Sequence, residues 1–156
     1  MLLGKIQVMD HNLANKIAAG EVIERPSSVV KELVENAIDA QATKIDIILE
    51  KSGITSISVI DNGLGMDRSD ALLAFSRHAT SKLLSEQDLF RIMTLGFRGE
   101  ALPSIASVSD ITLNTYNGAE TGTMIHLRGG KLIEQGIAPS RKGTDVHVKS
   151  LFFNTP

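Results

Sequence analysis

The 156-residue chain has no cysteine. That excludes a disulfide framework, a thiolate metal site and a cysteine nucleophile, and it is compatible with a reducing cytosol. No apolar run approaches the roughly 18 residues a membrane span requires, and the N-terminus lacks a signal-peptide hydrophobic region. No membrane partner is therefore expected, and the expected location is cytoplasmic. Charge of one sign is also scarce. Sixteen Lys plus Arg stand against 18 Asp plus Glu, a formal net charge of −2, so the whole domain carries no electrostatic footprint of a nucleic-acid binder. There is no fixed-period repeat, low-complexity tract or long linker. The pattern G-x-x-x-x-G-K-[ST] is missing as well, which excludes phosphate binding by a P-loop.

What is present is ordinary for one packed domain: 42% hydrophobic and 22% charged residues, at a length that buries roughly two-thirds of the chain surface. Asn12 to Ile23 reads as a helix, weakened by Gly20. Pro26-Ser27-Ser28 punctuates the chain and supplies a cap for a helix from Ser28 to about Ala40. Ile45–Leu49 and Ile57–Ile60 alternate as neighbouring strands, and acidic starts at Asp67 and at Ser85 to Asp88 open two shorter helices. After Pro103 the pattern turns to strands around Ile111/Leu113, Ile125/Leu127 and Val146/Val148, with Gly129-Gly130 and Gly143 at turns. Short antiparallel connections predict an α+β fold with helices on one face of a sheet. Two of the five Phe lie in the last five residues. Such an apolar end suggests a strand docked on the core or a sequence cut within its fold.

Three stretches could carry chemistry. On the helix after Pro26, Glu32, Asn36 and Asp39 form one narrow polar stripe opposite an apolar half-wheel. A carboxylate and an amide one turn apart suit water activation and hard-cation ligation, whereas the plainer alternative is a solvated helix face. In the second stretch, period-two alternation puts Asp61 on the same strand face as Ile57 and Val59, before Asn62-Gly63-Leu64-Gly65. If that face is the core side, the carboxylate needs a strong donor, which a ligand amine could supply, with Gly63 and Gly65 admitting the ligand closely. A hairpin turn capped by Asp61 is the alternative. The third runs from Arg77 to Leu102. Its Gly, Lys, Arg and hydroxyl residues suit a phosphate cradle, and equally an ordinary surface loop. His11, His78, His126 and His147 show no helical metal-ligand pairing, and the last two are expected on alternate strand faces.

Taken in order, E-x-x-x-N on a helix, D-x-G-x-G after a strand, a Gly-rich segment and then G-T before a strand resemble the GHKL ATPase superfamily. Within it, Ile17 to Pro26 and Gly96-Phe97-Arg98-Gly99-Glu100-Ala101-Leu102 resemble the MutL mismatch-repair family. The resemblance covers residues 5–156. It implies a Bergerat fold, an α/β sandwich with ATP and Mg²⁺ held between helices and a mixed, mostly antiparallel sheet. By this resemblance Glu32 is the general base and Asn36 the Mg²⁺ ligand, completed by phosphate oxygens and waters. Asp61 accepts from the adenine amino group, Gly63 and Gly65 shape the base pocket, and Thr144 supports the adenine side. Thr80, Ser81, Lys82, Gly96, Phe97, Arg98 and Gly99 form a lid over the phosphates.

The family motif that begins at Gly143-Thr144 normally continues past Pro156 into Ala-Arg and a second domain, which supplies a lysine to the γ-phosphate. The resemblance therefore implies that residues 1–156 are one ATP-binding domain of a longer parent, without its transducer and C-terminal dimerisation domains. In that parent, ATP would drive lid ordering and N-terminal homodimerisation, coupled to DNA and mismatch-repair proteins. The piece itself is expected to bind nucleotide and hydrolyse it poorly. The alternatives are another GHKL nucleotide-binding module and a non-enzymatic DNA-binding module.

Overall fold

Pro26 opens helix α1 (Pro26–Asp39) in its first turn, where a proline's fixed φ suits the helix and its missing N–H breaks no bond. The helix starts two residues earlier than expected. The residue before a proline is driven into extended backbone, and Arg25, at φ −158° and ψ 167°, marks the boundary with no side-chain cap. Ser27 and Ser28 consequently lie inside the helix rather than capping it. The structure, a computed structural model, describes residues 25–51, 55–76, 101–119 and 121–155. The helix expected over 12–23 and the one expected from Ser85 lie outside these residues.

The end of α1 is a Schellman turn. Gln41 takes the left-handed conformation at φ +66°, while its N–H donates to the Ile38 carbonyl and that of Ala42 donates to the Ala37 carbonyl. Strands β1 (Ile45–Glu50) and β2 (Ser56–Asp61) follow, paired antiparallel as expected. Helix α2 (Arg68–Ala74) begins where its acidic signal placed it, with the Asp67 carboxylate accepting from the Asp70 N–H at 2.8 Å.

Helix α3 (Ala101–Ser107) was not expected, because Pro103 reads as a breaker. Pro103 lies within it nonetheless, and all seven of its residues are buried. It leads into β3 (Asp110–Tyr116), β4 (Gly122–Arg128), β5 (Lys131–Ala138) and β6 (Gly143–Lys149). Strand β5 carries no period-two signal: Leu132 and Ile133 are adjacent and both exposed, and the register slips beside them at His126/Leu127. The six strands form one sheet in the order β1-β2-β6-β3-β4-β5. Every pairing among the described strands is antiparallel.

One face of this sheet is the core. Ile57, Val59, Ile111, Leu113, Ile125, Leu127, Val146 and Val148 alternate inward, and α1 and α3 cover them with Val29, Leu33, Leu102 and Ile105. The opposite face is polar. His147 and His126 both flank Thr112 in the register, so they share that face rather than alternating. His147 Nδ1 meets the Ser58 hydroxyl at 2.9 Å, and His126 Nε2 meets the Asp110 carboxylate at 2.8 Å. Leu151 to Asn154 form turns rather than a docked strand. The Phe152 N–H donates to the Val108 carbonyl at 2.6 Å, and the Arg128 guanidinium lies 4.3 Å from the Phe153 ring centroid. No helix among the described residues is long and apolar enough to cross a membrane.

Gly143 is where β6 begins, beside the end of β2. Its φ is +121°, and a Cβ there would lie 2.0 Å from the Asp61 carbonyl oxygen. Gly143→Ala is expected to lower stability by about 3 kcal/mol or more through backbone strain and displacement of the β2–β6 pair. Thermal unfolding checks this, and a wild-type melting temperature would show that the two strand ends can part freely.

Candidate functional site

Asp61 is the last residue of β2, and the strand phase that buries Ile57 and Val59 buries it too, to 6% exposure. A carboxylate in an aliphatic position must be compensated by donors. Two backbone N–H groups provide part of that: Gly63 donates to Oδ1 at 2.8 Å and Thr144 donates to the same oxygen at 3.2 Å. No hydrogen-bond donor among the described residues reaches Oδ2. The Arg141 guanidinium lies close, donating to the Asp61 carbonyl at 3.1 Å while pairing with Asp145.

Asp61 lines a cavity between α1 and the sheet that is open to solvent. Leu33 and Asn36 contribute from α1, Leu113 and Val146 from the sheet, and Met66 and Leu102 from the helix side. The walls are thus mostly apolar, with Asp61, Asn36 and Thr144 as the polar points, the composition of a small-molecule site.

The loop between β2 and α2 is fastened at both ends. The Leu64 N–H donates to the Ala40 carbonyl at the end of α1, at 2.8 Å. The Met66 N–H donates to the Thr115 hydroxyl at 2.9 Å. The expected purpose of the glycines changes accordingly. A Cβ on Gly63 would sit 2.7 Å from the Ala40 carbonyl, and one on Gly65, at φ +70°, would sit 2.0 Å from the Tyr116 carbonyl. Both positions are closed to side chains by the protein's own backbone, and only Gly65 borders the cavity.

The structure brings Asn36, Asp61, Gly65 and Thr144 around one space. Glu32 sits one turn before Asn36 on α1, half-buried and outside the residues that line this cavity. Asp39 ends the helix, and Ile38 beside it is 60% exposed despite its apolar side chain. The inward stripe is narrower than expected, Val29, Leu33 and Ala37, with Asn36 at its edge. Thr80, Ser81, Lys82 and Gly96 to Gly99 lie outside the described residues. Sequence reasoning missed Thr115. Its signal was available, because β3 alternation places it on the inward face with Ile111 and Leu113.

Burial pushes the Asp61 carboxyl above its ordinary range; the Gly63 and Thr144 N–H groups and the Arg141 charge oppose this, and Asp145 adds to it. A folded-state value above the unfolded one means that the group's contribution is fully present below the ordinary aspartate value of about 3.9 and is lost as pH rises through the raised value. Asp61→Asn keeps an oxygen for both backbone donors and removes the charge. The variant is expected to match or exceed the wild-type melting temperature at neutral pH, with its advantage shrinking as pH falls through the raised Asp61 value and levelling off below about 4. Melting curves across pH test this, and a variant less stable at neutral than at acid pH relative to wild type would contradict it.

Residues 23–147 match the family described as histidine kinase-, DNA gyrase B-, and HSP90-like ATPase. The chain is 63% identical over 154 residues to the DNA mismatch repair protein MutL of Lactiplantibacillus plantarum, covering 99% of this chain and 23% of that protein. It is 64% identical over 154 residues to MutL of Geobacillus thermodenitrificans, covering 99% of this chain and 24% of that protein. It thus spans about a quarter of the length of these curated relatives. A solved N-terminal domain of a DNA repair protein shares 36% identity at a TM-score of 0.78, over 96% of this chain and 44% of that one. The Aquifex aeolicus MutL ATPase domain complexed with ADP shares 35% identity at a TM-score of 0.66, over 86% of this chain and 46% of that one. With its antiparallel sheet covered by helices on one face, the chain belongs to the histidine kinase-, DNA gyrase B-, and HSP90-like ATPase family.

Proposed function

We propose that the cavity beside Asp61 is an ATP site and that the chain is the nucleotide-binding part of a MutL-type mismatch-repair ATPase. One observation carries the proposal: a buried carboxylate with one oxygen held by two backbone N–H groups and, among the described residues, no donor at the other, beside a largely apolar cavity. An exocyclic amine on a flat apolar ring is the ligand chemistry that completes it, and adenine has both features. The ADP complex of the Aquifex aeolicus relative supports that choice.

Asn36 would then hold Mg²⁺ by its side-chain oxygen. Among the described residues no cluster of three or more His, Asp or Glu could cage a metal, which fits an ion held mainly by nucleotide phosphates and water with one protein ligand. Bound there, the ion would neutralise developing phosphate charge. Glu32, a turn earlier on α1, would accept the proton of the attacking water. Gly65 would set the floor of the base pocket, Gly63 would hold the loop behind it against the end of α1, and Thr144 would flank the base. Thr80, Ser81, Lys82, Gly96, Phe97, Arg98 and Gly99 would close over the phosphates.

Residues 1–156 would act as one nucleotide-binding domain of a larger cytoplasmic bacterial protein. Further domains would supply a lysine to the γ-phosphate, an ATP-dependent homodimer and contacts with DNA and repair proteins. Alone, the chain would bind nucleotide and turn it over slowly. Titration of a non-hydrolysable ATP analogue with Mg²⁺ tests the adenine assignment: Asp61→Asn should bind at least about tenfold more weakly, as expected for losing a hydrogen bond to a charged group. Equal affinity for both proteins would sink it. Glu32→Ala should keep nucleotide affinity and, in a longer protein containing this domain, lower turnover by about 10² to 10⁴. Unchanged turnover there would remove Glu32 from its role.

A further inference from the structure

Among the described strands β1 is one edge of the sheet and β5 the other. The two edges differ. β5 is broken by the slip at His126/Leu127, the kind of irregularity that blunts an edge, whereas β1 pairs with β2 along its whole length without one. β1 also lacks proline and glycine. Its Ile47, Ile48 and Leu49 are 45, 52 and 46% exposed, and Ile38, on the helix that touches β1, is exposed as well.

The phase of the ladder decides what this edge offers. The Asn62 N–H donates to the Lys44 carbonyl at 3.3 Å, and backbone groups point to alternate sides along a strand. Lys44, Asp46, Ile48 and Glu50 therefore turn theirs toward β2, while Ile45, Ile47 and Leu49 turn theirs outward. The same three residues stand opposite Asp61, Val59 and Ile57, so their side chains lie on the inward face of the sheet. One set of residues thus presents both an apolar row and the outward N–H and C=O groups.

Such an edge is its own complement. Only residues of like phase can stand opposite one another, so a two-fold axis between antiparallel copies must pass through a residue. An axis at Ile47 sets Ile47 against Ile47 of the second copy and Ile45 against Leu49 of the second copy, with all their outward backbone groups facing each other. On the other sheet face, Lys44 then stands across from Glu50 of the second copy, once on each side of the axis. The neighbouring registers fail on charge, because like charges directly opposite are destabilising. An axis at Asp46 sets that carboxylate against its own copy, and an axis at Ile48 sets Asp46 against Glu50. Axes further out leave half of the strand or more without a strand opposite. We propose that β1 is a self-association surface on which a second copy of this chain docks edge to edge, in the register that pairs Lys44 with Glu50. β1 lines no part of the cavity beside Asp61, so the contact stands apart from the nucleotide reading and needs no nucleotide.

Sedimentation velocity without nucleotide, at protein concentrations rising to about 1 mM, tests this. Wild type should show a reversible monomer–dimer equilibrium. Lys44→Glu and Glu50→Lys should each weaken it about tenfold or more, because both symmetric pairs become repulsive, and the double exchange should return it to within about threefold of wild type. Ile47→Lys, which sets two ammonium groups at the axis, should leave only monomer. If that variant does not fold, the charge-exchange series decides alone. A wild type that stays monomeric throughout would overturn the proposal, as would single charge variants that dimerise like wild type or a double exchange that restores nothing. Growth beyond the dimer would overturn it too, since a two-fold contact uses up both edges. So would association that appears only with nucleotide and ignores the charge variants, because the contact would then lie on another face.

Discussion

The buried carboxylate of Asp61 is the constraint around which this part of the molecule is arranged. Its Oδ1 joins three pieces of backbone: the end of β2, the loop at Gly63 and the start of β6 at Thr144. An aliphatic residue would have filled the same space without demanding partners. The carboxylate instead requires N–H groups aimed inward, and meeting that demand brings the three segments to one point. Gly143 must then pass so close to Asp61 that no side chain fits between them. Arg141 adds a positive charge on the far side of the strand, tied to the Asp61 carbonyl and to Asp145.

This arrangement sets local stability against ligand chemistry. Burial disfavours the ionised carboxyl, and the surrounding donors recover only part of that loss. The remainder is carried by the apolar packing of α1 and α3 on the inward sheet face, where Val29, Ile57, Ile105, Ile111 and Leu113 are fully enclosed. A ligand that donates to Oδ2 would relieve the deficit at the moment it binds. A site of this kind is held unfinished by the fold around it.

Much of this was legible in the sequence, for identifiable reasons. Asp61 stood out because strand phase is strict: a residue two positions past Val59 faces the core whatever its chemistry. Asn36 was found by its helical spacing from Glu32, although its place at the edge of the inward stripe was not, since a wheel cannot say how wide a buried face is. Helix α3 was hidden by Pro103, which reads as a breaker yet lies within it, and β5 by apolar residues that follow no alternation because this edge strand is exposed on both faces. Thr115 escaped because threonine is common in strands and nothing in one sequence says that its hydroxyl holds the Met66 N–H. The glycines at 63 and 65 were recognised as close approaches, but what approaches them is the protein's own backbone.

The hydrogen bond from Leu64 to the Ala40 carbonyl, set up by the Schellman turn at Gln41, has a metrical consequence. It fastens the C-terminal end of α1, the helix that carries Asn36 and Glu32, to the loop that leaves Asp61. The two ends of the cavity are thereby parts of one stiff frame, and the interval from Asn36 to Asp61 is a fixed gauge length. A nucleotide bound as proposed would have to match it, so the fold would measure the distance between its base and its phosphates.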